Sequence, residues 1–67
     1  MNKVTRTQAE RLAKNYPDAL DIRDVGAILK YNPKTVLKII AAGKLPFIMI
    51  GRKYVIAKSD LIEFMSE

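Results

Sequence analysis

The sequence predicts a small α+β domain, mainly helical, in which short helices lead into a two-stranded β-hairpin and a short closing helix. Two observations carry this expectation. Apolar residues recur at helical spacing as far as Ala42, between residues suited to helix ends, and the period turns extended after Leu45-Pro46. Of the 67 residues 49% are apolar, enough for one compact core and too many for a disordered chain. Residues 1–67 are therefore expected to form one domain, with residues 1–19 an N-terminal extension containing a short helix. A domain of this size buries a modest fraction of its surface and is marginal in stability.

The first helix is expected over residues 8–15. Thr7-Gln8-Ala9-Glu10 has the form of a capping box, and Ala9, Leu12, Ala13 and Tyr16 follow at helical spacing. Pro17 is expected to stop it, because proline disfavours helix in the residue before it. A second helix is expected over residues 21–30, capped by Asp21, with Asp24 in the first turn where the helix dipole favours a negative charge. Ile22, Val25, Ile28 and Leu29 form its apolar stripe.

A break falls at Tyr31-Asn32. Asn32 suits an N-cap and Pro33 suits the first helical position, so a third helix is expected over residues 33–42, closed by Gly43. Val36, Ile39, Ile40 and Gly43 share one face of it, while Lys34, Lys38 and Ala42 lie opposite with Thr35 beside them. Leu37 falls at the rim of the apolar stripe and is expected to pack in the core. The segment Phe47-Ile48-Met49-Ile50, then Gly51-Arg52-Lys53, then Tyr54-Val55-Ile56 reads as a hairpin with a basic tip. A three-residue loop would put Ile48, Ile50, Tyr54 and Ile56 on one face and Phe47, Met49 and Val55 on the other; a two-residue loop would pair them differently. Residues Phe47, Met49 and Val55 then need cover, either from the N-terminal helix through Leu12 and Tyr16 or from a partner. Ser59-Asp60 opens the closing helix, with Leu61, Ile62, Phe64 and Met65 packing inward.

Charge is distributed unevenly. The net charge is +5, and the seven acids all lie in residues 10–24 or 60–67. Between them, residues 25–59 contain no Asp or Glu but carry Lys30, Lys34, Lys38, Lys44, Arg52, Lys53 and Lys58. A one-signed segment of this length suits a polyanion. The chain has no cysteine and no histidine, so neither a disulfide framework nor a thiolate or imidazole metal site is expected. Asp18, Asp21 and Asp24 stand three apart, but capping accounts for the last two and no partner residue supports acid–base chemistry. With neither a nucleophile–base pair nor a phosphate loop, an enzyme is not expected, and no cofactor, metal or small-molecule substrate is implied. Tyr31 and Tyr54 are expected to be structural rather than base-stacking. No apolar run approaches the roughly 20 residues that a membrane span requires. The start of the chain (Met1, Asn2, Lys3, Val4, Thr5, Arg6) lacks the apolar stretch of a signal peptide, so a cytoplasmic protein without membrane contact is expected.

Two helices joined by a tight turn, the second with a basic outer face, make a helix-turn-helix, and the hairpin directly after it makes a wing. An α-helix fits the major groove of B-DNA, and a hairpin tip can follow the backbone or enter the next minor groove. Double-stranded DNA is thus the expected partner, with residues 33–42 in the major groove and residues 51–53 on the minor groove or backbone. The candidate contacts are Asn32, Lys34, Thr35, Lys38, Arg52 and Lys53, with Lys30, Lys44 and Lys58 a second group; for Leu37, contact with a thymine methyl is the alternative to the expected core packing.

From Leu20 to Met65 the sequence resembles the excisionase-type winged helix-turn-helix domains related to the DNA-binding domain of MerR-like regulators. The resemblance is carried in order by Leu20, Asn32-Pro33-Lys34-Thr35-Val36, Gly43-Lys44-Leu45-Pro46, Ile50-Gly51-Arg52-Lys53-Tyr54 and Asp60-Leu61-Ile62-Glu63-Phe64. It implies a sequence-specific DNA-binding protein acting as an excisionase, a recombination directionality factor of a prophage or conjugative transposon. Such proteins bind attachment-site repeats cooperatively and bend the DNA so that an integrase can excise the element. The implied partners are a tyrosine or serine integrase and further copies of the chain on DNA. A free-standing domain of 67 residues fits that role. The alternatives are a small transcriptional regulator of a mobile element and a protein-interaction adaptor. Lys30 and Tyr31 depart from the family, which carries small residues there, and Gly26 stands where members often have alanine. A left-handed Lys30 would cost about 1 kcal/mol, and Gly26 is expected to permit close approach of neighbouring backbone.

Overall fold

A computed structural model describes residues 4–66; residues 1–3 and 67, part of the expected domain, lie outside the described residues. Helix α1 spans Arg6–Leu12, α2 Ile22–Leu29, α3 Pro33–Ala41 and α4 Lys58–Ser66, with strands β1 at Ala19–Leu20, β2 at Ile48–Ile50 and β3 at Lys53–Ala57.

The caps explain why α2 and α3 start where they do. The Asp24 N–H donates to Asp21 Oδ1 at 2.8 Å and the Asp21 N–H donates to Asp24 Oδ2 at 3.3 Å, a reciprocal capping box. These two carboxylates are thus engaged in holding a helix end. At α3 the Thr35 N–H donates to Asn32 Oδ1 at 2.9 Å, with Pro33 in the first turn. Gly43 takes φ +75 after the Ala42 cap. Its N–H donates to the Ile40 carbonyl and the Lys44 N–H to the Ile39 carbonyl, the paired bonds of a Schellman ending.

Helix α1 departs from expectation. It begins two residues earlier, with Thr5 as its N-cap and Gln8, not Glu10, closing the capping box. It ends at Leu12, ahead of Pro17, followed by a turn. Both threonines have a Glu or Gln three residues on, so the local motif alone does not choose between them. Packing does: the observed helix buries Ala9 and Ala13 and lies along α4, and the Val4 N–H reaches the Met65 carbonyl.

The sheet also has one strand more than the hairpin. Its order is β1-β3-β2, all antiparallel, with Leu20 opposite Ile56 and Ala19 opposite Ala57. A two-residue strand is too short to show any periodicity, which is why Leu20 reads only as an isolated apolar residue in the sequence. The hairpin loop has two residues, Gly51-Arg52, because Ile50 pairs with Lys53, Met49 with Tyr54 and Ile48 with Val55. Ile48, Ile50 and Val55 therefore share one face and Met49, Tyr54 and Ile56 the other, the pairing of the two-residue alternative. The core gathers Ala9, Leu20, Val25, Val36, Leu45, Ile56 and Leu61, each at most 1% exposed, so all four helices, β1 and β3 contribute to it. Strand β2 contributes nothing buried.

Candidate nucleic-acid interface

The helix-turn-helix is built by α2, a three-residue turn (Lys30, Tyr31, Asn32) and α3. Lys30 ends α2 in the left-handed region at φ 59, ψ 41, turning the chain sharply toward α3. The Tyr31 N–H then donates to the Gly26 carbonyl at 2.9 Å. A methyl group at Gly26 would stand 2.8 Å from the Tyr31 carbonyl oxygen, so only glycine lets the turn close on the helix. The expected close approach is there, between helix and turn. Tyr31 packs against the core, and so does Tyr54, whose ring stands 5.2 Å from that of Phe47.

On α3, Val36 and Ile40 are buried and Ile39 is half-buried, which turns Lys34, Leu37, Lys38 and Ala41 outward. Lys34 and Lys38 are both exposed and, four residues apart, lie on one arc of the helix. Asn32 and Thr35 are tied to each other: Asn32 Oδ1 accepts from both the Thr35 N–H and, at 3.1 Å, the Thr35 hydroxyl. Thr35 is half-buried with its hydroxyl committed to the cap, and Asn32 is exposed.

In the wing, Gly51 takes φ +62, the place where a two-residue II′ hairpin puts glycine, and Arg52 forms the exposed tip. Lys53 is exposed at the first position of β3. Lys44 is exposed just past the end of α3. Lys58 is different. Its backbone N–H donates to the Asp18 carbonyl at 2.8 Å and its ammonium lies 4.0 Å from the Asp18 carboxylate, with the side chain only 20% exposed. It ties the start of α4 to the approach to β1.

Among the described residues the recorded ion pairs are Arg6 with Glu10 and Lys58 with Asp18. Lys30, Lys34, Lys38, Lys44, Arg52 and Lys53 thus have no carboxylate within 4 Å among these residues. Lys44 lines a cleft together with Asp60 and Glu63, while the fields of the other five add, which is what attraction of a polyanion requires. No described helix is long and apolar enough to cross a membrane.

Leu37, for which the sequence favours core packing over contact with a thymine methyl, is exposed. At 38% exposure it lies outside the buried core. The signal was in the wheel: Val36, Ile39 and Ile40 complete the dry stripe without it. Of the two covers open to the hairpin, the N-terminal helix does not supply one, and Phe47 and Met49 are exposed. Leu12 is 48% exposed, because α1 is turned onto α4.

No curated protein and no solved structure matches the chain. A comparison with protein families matches residues 19–67, the segment that holds α2, the turn, α3, the wing and α4, to a helix-turn-helix domain. The chain belongs to this helix-turn-helix family, whose members are small DNA-binding domains of the excisionase type.

Proposed function

We propose that the chain is an architectural factor that binds double-stranded DNA in a sequence-specific manner and acts as an excisionase. In this reading α3 enters the major groove, where Lys34, Lys38 and the Asn32 amide meet base edges or phosphates and Thr35 holds the cap that aims them. Arg52 and Lys53 lie on the backbone or in the adjacent minor groove, where arginine is favoured if the groove is narrow and A·T-rich. Lys30 and Lys44, at the two ends of the helix-turn-helix, contact flanking phosphates. Lys58 drops out of the contact set because Asp18 already holds it.

The observation that carries the reading is the acid-free segment of residues 25–59, whose cations on α3 and the wing have no carboxylate partner among the described residues. The excisionase type of the family supports the biological role. Bending attachment-site DNA is offset by the additional contacts that bent DNA makes with the protein. A tyrosine or serine integrase, and further copies of the chain, then assemble on the bent site.

Titrating a duplex against the chain at increasing salt tests the binding. With about five to seven phosphates contacted, log K falls against log[salt] with a slope of roughly −4.5 to −6. A salt-insensitive interaction would instead mark an adaptor for a protein partner. An excision reaction with the element's integrase, run with and without the chain, tests the role. Binding without any effect on excision would leave transcriptional regulation as the function.

A further inference from the structure

The exposed arc of α3 is not uniformly cationic. At 100° per residue, Leu37 lies about 60° from Lys34 around the helix, with Ala41 between them and Lys38 beyond. Leu37 and Ala41, both exposed, form an apolar strip one turn long beside a strip made by Lys34 and Lys38. Leu37 is 38% exposed and stands outside the buried core. On this exposed side of the helix, Leu37 borders Ala41 and, beyond it, the cations assigned to the groove.

Base edges in the major groove offer donors and acceptors, and one apolar group: the C5 methyl of thymine. A leucine there cannot serve a donor or an acceptor, and opposite a polar edge it would strip water from that edge without replacing its hydrogen bonds. We infer that Leu37 is a specificity-determining residue that packs on a thymine methyl in the target, with Ala41 leaving room for the base edge to approach. The inference rests on the DNA-binding reading above and extends it from shape and charge to one letter of the recognised sequence. Lys34 and Lys38 then act on the other side of the arc, toward phosphate or guanine.

The test removes the methyl and nothing else. A randomised pool of 20-base-pair duplexes is selected on the full chain, and an enriched duplex is remade with deoxyuridine replacing thymine at one position at a time. The wild-type chain loses about fourfold in affinity at one position, the worth of one methyl-sized group withdrawn from apolar contact. Leu37→Ala binds the thymine duplex more weakly and is indifferent to deoxyuridine at that same position, while Leu37→Met retains the sensitivity. Circular dichroism at the binding temperature checks that both variants are folded, so the affinities compared are those of folded chains. If duplexes are enriched but deoxyuridine has no effect at any thymine, or if Leu37→Ala keeps the wild-type loss, the thymine contact is overturned and DNA binding stands. If no duplex is retained at all, the DNA-binding reading fails first and this inference falls with it.

Discussion

Helix α3 and strand β2 are both rich in apolar side chains, and they dispose of them in opposite ways. In α3, Val36 and Ile40 are buried and the cations stand opposite, so each face of the helix has one environment. In β2, Ile48, Met49 and Ile50 are all exposed, Ile48 and Ile50 at 61%. The neighbouring strand β3 behaves like α3, burying Ile56 completely against the core between α2 and α4. The difference teaches where this small chain draws its stability. The core stops at β3, and the wing's outer strand is held by its ladder to β3 and by the Phe47–Tyr54 ring contact rather than by burial. The wing is a displayed element on a packed base.

That contrast breaks first at Ile56. Ile56→Ala removes a fully buried side chain from the middle of the sheet and should cost about 2–5 kcal/mol, enough to leave a domain this small largely unfolded in a urea titration. The matching change on the outer strand, Ile50→Thr, should stay within about 0.5 kcal/mol, since the side chain is exposed and threonine keeps a β-branched shape. Equal losses at the two positions would show that the outer face is covered.

Gly26→Ala is the next largest effect. The added methyl meets backbone, the Tyr31 carbonyl oxygen at 2.8 Å, so the turn must shift, and about 1–3 kcal/mol should be lost in thermal unfolding. Its effect falls on the α2–α3 angle, so DNA affinity should drop along with stability. Lys30→Gly should work in the other direction. It relieves a non-glycine residue at φ 59 and should raise stability by about 1 kcal/mol. The same variant reads the role of its charge: a salt slope shallower by about 0.9 means that Lys30 touches a phosphate.

Most of the helix-turn-helix is legible in the sequence, because each of its boundaries has a chemical mark. Asp21 and Asp24, Asn32 and Pro33, and Gly43 are all residues with a specific task at a helix end, and each performs it. The parts that were not legible lack such a mark or carry two. Thr5 and Thr7 both open a capping-box pattern, and the choice depends on α4, far away in the chain. The hairpin register was open because apolar residues fill both of its faces, so a one-residue slip exchanges one apolar face for another. Only the loop conformation, with Gly51 at φ +62, distinguishes the two. Strand β1 exists because Leu20 finds Ile56, a pairing invisible to any local pattern. Within the candidate site, the lysines of α3 could be placed from the wheel alone, whereas the involvement of Asn32 and Thr35 with each other and of Lys58 with Asp18 required coordinates.

The central claim is that α3 and the wing tip form one DNA-contacting surface while the outer face of the sheet does not take part. Mapping amide and side-chain resonances of the isotope-labelled chain during titration with a 20-base-pair duplex at low salt tests it most directly. The account predicts shifts concentrated at Asn32, Lys34, Leu37, Lys38, Arg52 and Lys53, with Ile48, Val55 and Ala57 unmoved. Shifts centred on the outer sheet face or on α1, with Lys34 and Lys38 silent, would contradict it.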